Sequence, residues 1–498
     1  MTFDIILLTD TPDFPRWNRG YGAHRLASHL RIHGYTVLVI DFSLALTFNY
    51  WKEICNYAIG PNTQMIGIST TWMPFRKPFE ENHKVNIFPS WSDWGTDMFH
   101  TPYPDKSSFT LDLVKGDAKK WFDVAKEINP KIKFVAGGTK IDWYLDLPVD
   151  HFVNGQGENQ ILDYLTQPKR IWPSLISHDT KSNAVDWGWT TSSTFYTKYD
   201  QIRSKEILSV ETSRGCRFAC KYCSFPLIGN KDLASYLKTE DTIFNELLEN
   251  YEKWGTTRYR IIDDTFNDSE EKIQLINRIS KRLPFELNFW AYVRIDMLAQ
   301  NYSTIPLLME SGLRSCYMGI ESFDPKTSKF VGKGMSEEKR KDALNECKRV
   351  WGDKVGIRAS YIVGLPFESE ESIRRQADWF AEEGNPINHG VEYNPLMINP
   401  PGVFPNTPMS DIDRNYQKYG YVISDMNKHL FWTKDDGTDI NTFERAYTVA
   451  VELSQHFNTL KKVRKSAVHD TIMSDKNGIS DPVAEYFIPL IAMLKNES

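Results

Sequence analysis

Three of the six cysteines in this 498-residue chain fall within the ten residues Arg214-Gly215-Cys216-Arg217-Phe218-Ala219-Cys220-Lys221-Tyr222-Cys223. No other feature constrains the fold as much. Cysteines separated by three and then two residues, just after a strand candidate at Ile207–Thr212, can wrap one loop around a metal cluster. Thiolates are the soft ligands that iron–sulfur clusters require. A structural zinc site wants four ligands, usually from two separated pairs. Here only three are offered, and the nearest histidine is His178. The spacing therefore favours a cluster with one open position, and a non-catalytic metal-binding protein stays as the alternative. Cys55, Cys316 and Cys347 stand alone and read as small buried hydrophobes. So sparse a set excludes a disulfide scaffold and points to a reducing cytoplasm.

The chain around the loop is long enough for two or three domains. Residues 1–167 alternate strand and helix: Phe3–Leu8, Thr36–Ile40, Met65–Ser69, Ile132–Ala136 and His151–Val153 are the strand candidates. Such repetition predicts a doubly wound, Rossmann-like α/β sheet. Residues 72–108 interrupt it with Trp, Phe and Pro, and read either as a lid or as a packed loop. Residues 168–205 form a linker, and 206–402 hold six β-α units whose strands include Tyr259–Ile262, Leu287–Val293, Ser315–Ile320, Gly356–Val363 and Gly390–Tyr393. That count predicts a partial (β/α)6 barrel with its site at the strand C-termini. Residues 403–498 are expected to be helical. Net charge is −6 and no apolar stretch reaches membrane length, so neither bulk nucleic acid nor a membrane is expected as a partner. The basic run Lys461-Lys462-Val463-Arg464-Lys465 reads as a solvated helix end.

The cysteine loop, with aromatic Tyr222 directly before the third cysteine, resembles the radical S-adenosylmethionine superfamily. The resemblance implies that Cys216, Cys220 and Cys223 hold a [4Fe–4S] cluster whose open iron takes S-adenosylmethionine. It also implies an electron donor of the flavodoxin or ferredoxin type. Further motifs match. Ile262-Asp263-Asp264-Thr265-Phe266 resembles the second-strand end, where Asp263 or Asp264 would meet the methionyl amino group. Gly319-Ile320-Glu321-Ser322 resembles the ribose-binding motif. Lys333 falls near the expected methionyl carboxylate, and Ile362-Val363-Gly364 resembles the adenine-side strand. Arg294 is a candidate site cation, and Tyr292 stands where many relatives carry an acid.

A doubly wound domain before the loop, joined by a Trp-containing linker, is similar to the cobalamin-binding class. That class implies methyl transfer to an unactivated carbon, with corrin contacts from Thr70, Thr71, Gly137, Gly138, Gly155 and Gly157. Asp-x-His-x-x-Gly is absent; Asp150-His151 has the wrong spacing and His33 lies in a helix–strand turn, so no lower-face histidine is expected. A cobalamin-free oxidoreductase or sulfur-inserting enzyme is the alternative. The substrate, a small molecule or a peptide, is not legible, and no catalytic side chain is nominated.

Overall fold

The structure is a computed structural model that describes residues 2–10, 19–70, 108–139, 141–176, 187–204, 206–225, 236–403, 405–426, 431–461 and 481–497. Thr71, nearly all of the aromatic segment 72–108 and the basic run from 462 lie outside the described residues.

The first half is a six-stranded parallel sheet built from β1 (Ile5–Leu8), β2 (Val37–Ile40), β3 (Met65–Ser69), β4 (Lys133–Gly138), β5 (His151–Asn154) and β6 (Leu175–Ile176). Their spatial order is β2-β1-β3-β4-β5-β6. Successive side chains of a strand point to opposite faces, and here both faces are dry. Ile6 and Leu8 join a core with Trp51, Ile54 and Trp121, while Ile5 and Leu7 join another with Ala23, Ala27 and Leu30. Burial on both faces explains why these strands read as unbroken apolar runs. The chain reverses direction across the sheet between β1 and β3. In doubly wound sheets that reversal opens a crevice beyond the strand C-termini.

The sixth strand corrects one boundary. Leu175 and Ile176 pair with Phe152 and Val153, so the sheet continues past residue 167 into the segment read as linker. Two residues between prolines and serines give no period to detect.

The second half is another parallel sheet, β7 (Leu208–Val210), β8 (Arg258–Ile261), β9 (Asn288–Val293), β10 (Leu313–Glu321), β11 (Gly356–Val363) and β12 (Val391–Pro395), in strictly sequential order. It forms the expected open barrel. Thr239, Ser269, Ser336 and Ser369 cap the intervening helices, each side chain accepting a backbone N–H three residues on. Acidic residues fill the first turn of all four helices, complementing the helix dipole.

Residues 403–498 are not purely helical. Tyr421–Val422 (β13) and Thr433–Lys434 (β14) form an antiparallel ribbon against the barrel. The helix Phe443–Lys461 also packs on the barrel, at β11 and β12. The helix Ile488–Glu497 and the turn Val483–Phe487 before it instead dock on the first half, burying Tyr486, Phe487, Leu490, Ile491 and Leu494 in the same core as Trp51 and Trp121. Buried polar contacts join the halves: Arg19 bonds Asp41 at 3.0 Å and Glu206 at 2.7 Å, and Arg25 donates to the Ser193 carbonyl at 2.7 Å. Among the described residues no helix is long and apolar enough to cross a membrane.

Candidate active site at the cysteine loop

The loop after β7 is held from below by Asp263, at the end of β8. Its carboxylate accepts from the backbone N–H of Thr212 (2.7 Å) and Ser213 (3.0 Å), from both hydroxyls of those residues, and from Lys272 at 2.6 Å. Asp263 and Lys272 are fully buried. These partners engage the carboxylate's acceptor capacity, so in this structure Asp263 shapes the loop. Its neighbour Asp264 is half-buried beside the cysteines. Burial, then the charges of Asp263 and Glu211, push its carboxyl up to about 7. Of the two adjacent acids, Asp264 is the one whose carboxylate this network does not engage.

Cys216 and Cys220 are buried and Cys223 is half-buried. Burial pushes the Cys223 thiol up to about 12, helped by the nearby Cys220 and Cys216, and raises Cys216 as well. Thiols in such a setting give up their protons when a cation arrives to replace them. Cys216 lies 3.3 Å from the Thr265 hydroxyl, and Arg294 donates to Cys220 at 3.0 Å. Arg294 is itself fixed by Asp296 (2.6 Å) and by the Phe218 ring, 3.9 Å from its guanidinium carbon. The expected site cation thus touches a candidate cluster ligand. N–H donors aimed at cluster sulfurs tune such centres. Among the described residues no three Cys, His, Asp or Glu side chains gather as they would around a single ion. Three thiols, one of them accepting from Arg294, offer the soft donor set of an iron–sulfur cluster.

The second part of the site centres on Glu321, at the end of β10. Its backbone is in the left-handed region, with φ +62°, a strained conformation for a residue with a Cβ. One carboxylate oxygen accepts from the Tyr222 hydroxyl (2.7 Å) and the Lys333 ammonium (3.0 Å), and the other from Ser360 (3.0 Å). Three of about four acceptor positions are therefore engaged. Lys333 also donates to the Gly319 carbonyl at 2.5 Å and is 4 % exposed, so it is not a surface lysine. A Cβ at Gly319 would stand 2.3 Å from the Glu321 carboxylate and 2.7 Å from the Lys333 ammonium, so a side chain there would have to push both of these tips aside. Ile362 is half-buried on β11. Gly364 has φ +101° and a Cβ there would meet the Trp432 ring at 2.8 Å, so the tail itself demands this glycine.

A cavity of about 250 Å3 lies over the C-terminal ends of β1, β3 and β4, at the reversal between β1 and β3. Its apolar walls include Leu7, Met65, Val135 and Ile161, and its glycines include Gly137, Gly138, Gly155 and Gly157. Among the described residues the lining contains no histidine. Thr70 borders this region but directs its hydroxyl to the Gly137 carbonyl at 3.1 Å, tying β3 to β4. Thr71 is outside the described residues. One wall belongs to the second half. Arg214, two residues before Cys216, donates to Glu158 at 2.5 Å and to Glu211 at 2.9 Å, and lies 4.1 Å over Trp189. Sequence reading missed Arg214, Thr265 and Ser360, since none sits at a spacing that announces chemistry. Arg214 alone offered a signal, by its place beside the first cysteine.

Residues 210–380 match the model of the Radical SAM superfamily. An uncharacterized methyltransferase of Pyrococcus horikoshii is 25% identical over 283 residues, covering 52% of this chain and 59% of that protein. The match thus spans under two thirds of the relative's length. Among solved structures, the radical S-adenosylmethionine methyltransferase TsrM from Kitasatospora setae, with cobalamin and a [4Fe–4S] cluster bound, superposes with a TM-score of 0.56. It is 17% identical, with 84% of this chain and 79% of that chain covered. The cobalamin-dependent S-adenosylmethionine radical enzyme OxsB, with aqua-cobalamin and S-adenosylmethionine bound, gives 0.57 at 14% identity, with 99% and 79% covered. At these identities the likeness establishes the fold alone: a doubly wound sheet followed by an open parallel barrel.

Proposed function

We propose that this chain, whose barrel is a radical SAM domain, is a cobalamin-dependent radical S-adenosylmethionine methyltransferase that methylates an unactivated carbon. The observation that carries the reading is the cavity at the sheet reversal, which shares the Arg214–Glu158 wall with the cysteine loop. Two relatives of the same fold are described with cobalamin, one of them with a [4Fe–4S] cluster as well, and a third relative is named a methyltransferase. That combination supports the methyl-transfer reading over a cobalamin-free one.

Cys216, Cys220 and Cys223 would hold the cluster, with Arg294 hydrogen-bonded to one thiolate and Thr265 beside another. Bound there, the cluster supplies one-electron reductive cleavage of S-adenosylmethionine. Glu321 would take the ribose hydroxyls with its free acceptor position, oriented by Tyr222, Lys333 and Ser360. Asp264 would face the methionyl amino group, which favours its ionised form. Ile362 would flank the adenine. The glycine-bordered cavity would take part of the corrinoid, with close approach permitted at Gly137 and Gly138. Among the described residues that line the cavity there is no histidine, so none of them would offer the corrinoid an imidazole.

Anaerobic reconstitution tests both parts. The protein should take up about four irons per chain, and a variant with Cys216, Cys220 and Cys223 all replaced by Ala should take up none. Hydroxocobalamin titration should reach one equivalent. Electron paramagnetic resonance of the cobalt(II) form should lack nitrogen superhyperfine splitting. Stoichiometric zinc without iron uptake defeats the reading, and failure to bind corrinoid moves it to the cobalamin-free alternative.

A further inference from the structure

The inner face of the open barrel carries charge that the site described above does not use. Along β8 and β9 the residues alternate strictly between half-buried and buried. The buried set, Tyr259, Ile261, Phe289, Ala291 and Val293, packs into the barrel's hydrophobic core. The alternate set, Arg258, Arg260, Trp290 and Tyr292, therefore points the other way, into the barrel. Both strands have neighbours on each side in the sheet. Exposure on that face thus marks an open chamber, and Ile262 and Asp264 continue the same alternation toward the proposed S-adenosylmethionine site.

The chamber walls are aromatic and cationic. The Arg260 guanidinium lies 4.8 Å over Trp290, whose ring is 4.9 Å from Tyr292, and Tyr292 lies 5.5 Å from Tyr317. Glu392 pairs with Arg358 and accepts from the Tyr317 hydroxyl at 2.7 Å. The other acids at this face are also matched: Glu211 by Arg214 and Glu321 by Lys333, while Asp264 would meet the methionyl ammonium. Glu286, just before β9, is 74% exposed and paired with Arg314. Arg258 and Arg260 are left over. The Arg258 Nη1 and the Arg260 Nε are buried and have no hydrogen-bond partner. A buried guanidinium without a counter-charge is costly, and an anionic ligand would remove that cost.

We propose that this chamber binds the anionic end of the substrate, a carboxylate or a phosphate held by Arg258 and Arg260. The carbon skeleton would lie against Trp290 and Tyr292, with the reacting carbon toward the strand C-termini. Calling this ligand the substrate rests on the methyl-transfer reading above; the anion site itself does not. Guanidinium groups match both oxyanions with paired N–H donors. Alternate residues of one strand stand about 7 Å apart, so two long arginine side chains can share one anion. Aromatic walls suit an apolar or planar skeleton. The substrate class is thus an organic acid or a phosphate monoester, rather than a neutral or cationic molecule.

The test is isothermal titration of the full-length protein, purified without oxygen, with phenylacetate, phenyl phosphate and neutral phenylacetamide. No S-adenosylmethionine is present. At least one of the two anions should bind tenfold or more tightly than phenylacetamide, and which one it is separates a carboxylate site from a phosphate site. Arg258→Met and Arg260→Met should each weaken that binding tenfold or more. Both variants should keep the wild-type melting temperature, because the buried nitrogens they remove have no partner to lose. Equal binding of anion and amide, no binding of either anion, or undiminished binding by both variants overturns the proposal. A melting temperature lowered by more than a few degrees in both variants also overturns it, since the arginines would then hold the barrel together. Failure of the reduced wild type to cleave S-adenosylmethionine would instead overturn the methyl-transfer reading and leave the arginine-dependent anion site standing.

Discussion

Gly319→Ala adds one methyl group and no new chemistry, yet it should cripple S-adenosylmethionine binding. The added Cβ falls 2.3 Å from the Glu321 carboxylate, whereas ordinary contact begins at 3.4 Å, so the oxygen must retreat by about 1 Å. It has little room to do so. The same oxygen is held by Tyr222 at 2.7 Å and Lys333 at 3.0 Å, and the Glu321 backbone is already in the left-handed region. A carboxylate displaced that far cannot keep both partners and still face a ribose. Each hydrogen bond to a charged group contributes about 1.5–3 kcal/mol, so losing one should weaken binding about 10- to 150-fold. Isothermal titration of the anaerobic, cluster-loaded protein measures this directly. Glu321→Gln should weaken binding similarly, and the double variant should be little worse than either single one, because both remove the same interaction. Wild-type affinity in Gly319→Ala, or fully additive losses, would refute the role given to Glu321.

Arg214→Met should be costly in a different way. It removes the ion pair of Glu211 and leaves Glu158 only Arg25, 3.9 Å away, in the wall between the cavity and the loop, and stranding a buried charge typically costs about 3–5 kcal/mol. Urea unfolding should report that loss, and a change under about 1 kcal/mol would contradict the buried-pair account. Glu368 predicts a pH dependence. Burial raises its carboxyl from 4.5 to about 8, against the opposing hydrogen bonds from Ser322 and Tyr361. The folded chain therefore keeps a proton that the unfolded chain releases. This contribution to stability is complete below pH 4.5 and is lost as pH rises through 8. Glu368→Gln should match wild type in melting temperature near pH 4.5 and exceed it increasingly up to about pH 8, whereas a difference independent of pH would count against the shift.

The barrel was legible because each strand carries its own apolar signal between helical patterns. The six predicted segments fall on β7 to β12 within a few residues. The first sheet was legible for the same reason up to β5. β6, β13 and β14 escaped because two-residue strands have no periodicity, and their existence depends on a neighbour being already in place. Within the site, sequence could not choose between Asp263 and Asp264. Which of two adjacent acids turns toward Lys272 is decided by a helix that follows in the chain. Lys333 was equally ambiguous: a lysine is usually solvated, and only the fold brings Gly319, Glu321 and Lys333 together. Arg214 looked like part of the cysteine loop, but it engages Glu158, 56 residues earlier, at the start of the helix that follows β5.

The docking of helix Ile488–Glu497 on the first sheet has a consequence for how the molecule is made. That helix completes the core formed by the helix Phe48–Ala58 and its neighbours, yet about 430 residues separate the two in the chain. At ribosomal rates of about 5–20 residues per second, the partner emerges roughly 20–90 s later. Throughout that interval the nascent first domain carries an uncovered apolar face that Tyr486, Phe487, Leu490, Ile491 and Leu494 will later fill. Burying an aromatic or branched side chain is worth about 1.5–3 kcal/mol, so five of them constitute a large missing share of one domain's marginal stability. The first domain to be synthesised is therefore among the last to be finished, and a chaperone that shields this face during translation should raise the yield of folded protein.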